Sequence, residues 1–251
     1  MTLSYGSREV DAVLLDLDDV LVPFQTPGAW QWAWHPQGPV LGDRRVKAAV
    51  RRSLRAWDRR RWQGLTGKAP PADLAALRAH IADTLATVAG HALPAPETEA
   101  VVRRFLHPAG EVERYPDVPT MLDRLRTKEV RVGVVTPLPD ESARWLLHRG
   151  GLSDTLLVGA GDGPGPCVPD RAAFRAAAES LAPSVDRVAY VGDLFWSDVR
   201  AGARAGLAAV LLDRRDAWPK VITGRLTTLD QLEGTLAAGG SPPETEGKEG
   251  E

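Results

Sequence analysis

The chain has 251 residues, of which 43% are hydrophobic and 25% charged, and a formal net charge of -2. That is the composition of a globular protein of one or two domains, and so balanced a charge excludes general electrostatic attraction to nucleic acid or to a membrane surface. One cysteine, Cys167, excludes an intrachain disulfide framework. The opening MTLSYGSREVDA lacks the layout of a signal peptide and no apolar run is long enough to span a bilayer, so a cytoplasmic protein is expected.

In chain order, residues 10–17 (VDAVLLDL) form the first short β-branched and aliphatic run, suited to a strand buried on both faces. Comparable runs occupy 130–136, 155–159, 187–191 and 207–212. Helical patterns lie between them at 118–126, 140–148, 170–181 and 197–205. Strands alternating with helices predict an α/β fold, a doubly wound parallel sheet with helices on both faces.

Roughly 110 residues separate the first strand from the second, far more than a usual connection. The intervening stretch has helix periodicity at 44–61, 72–89 and 97–106 and no convincing strand. It reads as a helical domain spliced into the α/β domain. The expected division is an α/β core of 1–22 and 115–238, a helical cap of 23–114, and a disordered tail of 239–251, where GGSPPETEGKEGE has almost nothing to bury.

The first strand runs into DLDDV. Alternation along a strand places Asp16 and Asp18 on one side, at the carboxyl edge where open parallel sheets bind ligands. Two carboxylates so close suit a nucleophile with an acid/base partner and call for a cation. The fourth strand ends similarly, in GDLFWSD, adding Asp193 and Asp198. Carboxylates converging without histidine or cysteine favour a hard, oxygen-loving ion, Mg²⁺ above all. Thr136, held extended by Pro137, offers its hydroxyl to a phosphate oxygen.

These motifs, with YPDVPTMLDRLR before the second strand and AGARAGL after the last acid, resemble the haloacid dehalogenase superfamily. The resemblance runs from about Val10 to Leu212 and implies that the inserted helices are a cap. It further implies that Asp16 attacks phosphorus and that Asp18 protonates the leaving oxygen. Mg²⁺ would be held by Asp16, the Asp18 carbonyl and Asp193, with Asp198 in support. The superfamily's dehalogenases lack an acid at the position of Asp18, which argues for phosphoryl chemistry.

One position departs from the pattern: Val168 stands where the superfamily has a lysine. Arg171, at the start of the following helix, or Lys68, on the cap, could supply the missing cation to substrate. The expected function is a Mg²⁺-dependent phosphomonoester hydrolase acting on a small phosphorylated metabolite. The alternatives are a phosphomutase, or a catalytically impaired binding protein on the same fold, which Val168 favours. Oligomeric state is left open.

Other features have two readings. Residues 43–61 hold nine basic and two acidic side chains. They form either a docking face for nucleic acid or an anionic substrate, or, about twice as readily, the solvated side of a cap helix. Trp30, Trp32 and Trp34 form an aromatic wall or pack cap to core, and His35 reads as structural. GAGDGPGP and GLTGK fail as nucleotide loops on context and spacing.

Overall fold

A computed structural model of the chain describes residues 3–5, 8–23, 44–70, 74–89, 92, 94–106, 113–136, 140–159, 170–218 and 225–238. The centre is a six-stranded, wholly parallel sheet. It comprises β3 (Ala12–Leu15), β4 (Arg131–Val135), β5 (Leu156–Gly159), β6 (Val188–Gly192), β7 (Ala208–Leu212) and β8 (Arg225–Leu226). Ahead of it, β1 (Leu3–Tyr5) and β2 (Arg8–Val10) pair as an antiparallel hairpin. That hairpin splits the expected first strand, and neither it nor β8 shows in the sequence periodicity, since runs of two or three residues are too short to register.

The strands β3, β6 and β7 are buried along their whole length. Their side chains pack into two hydrophobic clusters, one on each face of the sheet. Each fully buried Leu or Val contributes roughly 1.5–3 kcal/mol, which is why such strands read as continuous apolar runs. Helices α4 (Val118–Thr127), α5 (Asp140–Arg149), α6 (Arg171–Leu181) and α7 (Ala201–Ala205) cover the faces, and α8 (Leu232–Ala237) follows β8. Asp170 caps α6 by accepting a hydrogen bond from the Ala173 N–H at 2.8 Å, and Gly206, at φ 105°, ends α7 in the left-handed conformation.

Strand order is β5-β4-β3-β6-β7-β8. The chain moves outward from β3 to β5, then returns to β6 on the other side of β3, so the order reverses between β3 and β6. A crevice opens at the carboxyl edge of a sheet at such a point.

The helical cap is inserted after β3 and contains α1 (Arg44–Leu65), α2 (Leu74–Ala89) and α3 (Ala95–Leu106). Leu54, Trp57, Asp58, Arg61 and Trp62 are the buried stripe of α1, at helical spacing. Arg51, Arg52, Arg55, Arg59 and Arg60 are exposed on its other side. Ile81, Thr84 and Leu85 are buried on α2. There the His80 ring stacks on Trp57 with centroids 5.1 Å apart, and its Nε2 lies 2.8 Å from the Ser53 hydroxyl. The expected tail, 239–251, lies outside the described residues, as do Trp30, Trp32, Trp34, His35, Cys167 and Val168. No described helix is long and apolar enough to cross a membrane.

Burial lowers the His80 pKa from 6.5 to about 4. The folded protein therefore keeps the ring neutral at pH values where the unfolded chain protonates it. The stabilisation is complete above pH 6.5, is lost as pH falls from 6.5 to about 4, and amounts to at most about 3 kcal/mol. Urea unfolding of the wild type and of His80→Phe at pH 7.5, 5.5 and 4 should diverge in this sense, with the wild type losing more stability on acidification. Parallel losses in the two proteins would refute a neutral buried His80.

Candidate active site

The first strand ends one residue before the first acid of DLDDV. Beyond Leu15 the chain turns back on itself: the Leu21 and Val22 N–H groups both donate to the Leu17 carbonyl at 3.1 Å, and Asp19 N–H donates to the Val22 carbonyl at 2.8 Å. Asp19 takes φ 57°, and Asp18 pairs with Val22 in an isolated bridge. The strand thus gives way to a tight turn directly after Asp16, and Asp18 within it bears on the Asp16 carboxylate. Asp16 is buried, and the Leu17 N–H donates to its Oδ1 at 2.7 Å.

Asp19, the third acid of the motif, anchors this turn. It is buried, ion-pairs with Arg215 and accepts a hydrogen bond from the Tyr115 hydroxyl. Arg214 lies 4.0 Å from the Tyr115 ring centre, grips Asp117 at 2.8 and 2.9 Å, and donates to the Val20 carbonyl at 3.0 Å. Sequence reading passed over Asp19 because its partners lie some hundred to two hundred residues downstream.

At the end of β6, Asp193 is buried, and its carbonyl accepts a hydrogen bond from the Trp218 indole at 2.9 Å. The next turn, Phe195–Arg200, is π-helical, a wide turn often found at functional sites. It carries Asp198 back over β6. A Cβ on Gly192 would stand 2.7 Å from the Asp198 Cβ, so glycine is what lets this carboxylate approach the strand. Asp198 accepts hydrogen bonds from the Leu194 N–H at 3.2 Å and the Ser197 hydroxyl at 3.3 Å.

The cap closes directly onto this turn. The Asp58 carboxylate accepts hydrogen bonds from the N–H groups of Trp196 and Ser197, both at 2.7 Å. These donors open the π-helical turn and have no partner within it, so a carboxylate is well placed there. Burial still raises the Asp58 pKa to about 6. One turn further along α1, Arg61 is 4% exposed, with Nη2 3.6 Å from the Asp198 Oδ1.

Asp16, Asp193 and Asp198 each offer a carboxylate oxygen, all within 4.8 Å of one another. Burial drives the Asp16 pKa well above the usual range, Asp198 and Asp18 push it further, and Arg61 opposes them. Burial likewise raises Asp193, reinforced by Asp19 and Asp198 and opposed by Arg215. Asp198 is raised by burial against the pull of Arg61. Buried carboxylates that repel one another are what a bound divalent cation relieves. The set is all oxygen, the donor type that Mg²⁺ prefers.

Thr136 is buried immediately after β4. Leu15 aligns with Val134 on one side and Val191 on the other, so Asp16, Thr136 and Asp193 follow the same edge of three adjacent strands. Arg171 is exposed at the start of α6, and Lys68 is exposed in the turn after α1. The guanidinium that bears on Asp16 is Arg61, which the sequence reading had grouped with the basic stretch of the cap helix.

Residues 10–206 match the model of the haloacid dehalogenase-like hydrolases. Over 121 residues the chain is 34% identical to phosphoglycolate phosphatase of Rhodospirillum rubrum, covering 46% of this chain and half the length of that relative. In fold it is similar to the magnesium-bound HAD-hydrolase YfnB of Bacillus subtilis, with TM-score 0.65 and 19% identity over 90% of this chain and 98% of that one. It is also similar to the L-2-haloacid dehalogenase of Xanthobacter autotrophicus, with TM-score 0.57 and 17% identity over 82% and 78% of the two chains. The matched family model takes in the segment from the end of β2 through α7, and the chain belongs to the haloacid dehalogenase-like hydrolases.

Proposed function

We propose that the protein is a Mg²⁺-dependent phosphatase of a small phosphorylated metabolite, with Asp16 as nucleophile and residues 23–114 acting as the cap over its site. The observation that carries this reading is the convergence of buried Asp16, Asp193 and Asp198 beside Asp18, at the sheet's point of strand-order reversal. A second acid beside the nucleophile is what phosphate ester cleavage needs and displacement of halide does not, because an alkoxide leaving group must be protonated. The similarity to a phosphoglycolate phosphatase supports the same substrate class.

In this reading an Asp16 oxygen attacks phosphorus in line, and the bond to the ester oxygen breaks. Asp18 gives its proton to the departing alcohol. Asp18 then takes a proton from water as the water oxygen attacks phosphorus, which frees the Asp16 carboxylate and releases inorganic phosphate. Thr136 hydrogen-bonds a phosphoryl oxygen. Asp16, the Asp18 carbonyl, Asp193 and Asp198 would hold Mg²⁺, which supplies charge neutralisation to the nucleophile and the phosphoryl group. Arg171 and Lys68 are assigned to substrate groups reaching outward from the crevice.

Phosphate release should be measured on a panel of phosphomonoesters headed by phosphoglycolate, with and without Mg²⁺. The wild type should turn over at least one substrate only with metal, and Asp16→Asn should lower the rate by more than about a thousandfold. A folded protein that releases no phosphate from any ester, or whose activity survives Asp16→Asn, would overturn the reading.

Metal binding has its own signature. Mg²⁺ at a hundredfold excess over its Kd should raise the thermal midpoint by about 5–10 °C. Asp193→Asn should abolish that rise, and an equal rise in the variant would remove Asp193 from the ligand set.

A further inference from the structure

The crevice gathers Asp16, Asp18, Asp193 and Asp198, and in the reading above it must also accept a dianionic phosphoryl group. Binding a dianion beside that many carboxylates calls for a positive charge aimed at the phosphoryl oxygens, beyond any ion shared by the aspartates. Arg215 is already engaged by carboxylates: it ion-pairs with Asp19 and bears on Asp193 and Asp18. Arg61 stands beside Asp198 with hydrogen-bond donors to spare. Its Nε and Nη2 are buried and have no hydrogen-bond partner. The 3.6 Å from Nη2 to Asp198 Oδ1 is an ion-pair distance too long for a hydrogen bond. Leaving guanidinium N–H groups buried and unsatisfied is costly unless an acceptor arrives.

The local packing holds Arg61 in that position. Asp58, one turn earlier on α1, is fastened to the Trp196 and Ser197 N–H groups. The neighbouring Trp62 packs against Trp196 with ring centroids 6.1 Å apart. The Arg200 guanidinium lies 5.3 Å from the Trp62 ring centre and 4.8 Å from that of Trp196. A planar fork of donors, fixed at its base and unsatisfied at its tip, matches two oxygens of a phosphoryl group.

We propose that Arg61, delivered by the cap helix, binds the phosphoryl group of the substrate and supplies the cation that the sequence motif lacks, where valine stands in place of lysine at position 168. This assignment rests on the phosphatase reading for its catalytic consequence, but the anion site it describes can be measured without turnover. On the cap, the cation arrives with the helix that covers the crevice, so phosphoryl binding and closure are coupled through one segment of chain.

The test compares wild type, Arg61→Ala and Arg61→Gln in Mg²⁺, reading the affinity for inorganic phosphate by calorimetry and kcat/KM on a phosphomonoester. Arg61→Ala should weaken phosphate binding at least about tenfold and lower kcat/KM by about 10²–10³-fold, with partial recovery on adding millimolar guanidinium. Arg61→Gln, which keeps a donor toward Asp198 but no charge, covers the case in which the alanine variant does not fold, and should show the same weakened phosphate binding. Unchanged phosphate affinity in either folded variant would overturn the proposal and make Arg61 a structural counter-ion of Asp58 and Asp198. If the wild type binds phosphate through Arg61 but hydrolyses no ester, the phosphatase reading falls and the anion site stands. If wild type and both variants hydrolyse alike, the phosphatase stands and Arg61 is excluded from phosphoryl binding.

Discussion

The constraint on which this structure turns is negative charge held out of water. Asp16, Asp193 and Asp198 are each almost fully buried, and burial is the first cause of the raised pKa in all three. The surroundings answer that charge from several directions. Backbone N–H groups of Leu17 and Leu194 donate to Asp16 and Asp198, and Arg61 and Arg215 flank the cluster from opposite elements. What these groups leave uncompensated is negative charge on three oxygen donors, the kind of set that suits a hard divalent cation.

The same constraint explains how the inserted helices meet the core. Asp58 is itself a buried acid, tolerated because two backbone donors at the start of the π-helical turn meet it. That pair of bonds ties α1 to the element carrying Asp198 and sets the register in which Arg61 reaches the crevice. Trp62 and Leu54 join the hydrophobic cluster of the core beside Phe195 and Trp218, which adds apolar burial to the polar contacts. Cap and core thus meet around the site itself, where a shift of about an ångström would move a charged group relative to the reacting atoms.

A second ring of charge supports the first. Arg214 bridges Asp117 at the head of α4 to the backbone of the motif turn. Asp213 accepts from the Ala217 and Trp218 N–H groups and from Arg225, which steadies the loop whose indole holds the Asp193 carbonyl. Asp213 and Arg214 lie just after β7 and Arg225 on β8, so that edge of the sheet is tied to the turn after β3 and to the Asp193 carbonyl. Asp213 is buried and Asp117, Arg214 and Arg225 are partly buried, and all four have hydrogen-bonded partners, the condition under which such groups are retained away from water.

Sequence alone determined the α/β class, the parallel sheet, the helical insertion and the acids at the strand ends. Those features depend on local periodicity and on residue types within a few positions of one another. The helices at 118–127 and 171–181 and the strands at 131–135 and 208–212 were legible to within about one residue for that reason. The short hairpin and β8 were not, because too few residues carry a pattern. Tertiary structure alone decided the turn after Asp16, the role of Asp19, and above all the fate of the basic stretch. On paper Arg59, Arg60 and Arg61 are alike, yet the first two are exposed and the third is buried against Asp198. A helix turns about 100° per residue, so adjacent arginines point in different directions, and which of them meets buried carboxylates is set by how the helix docks.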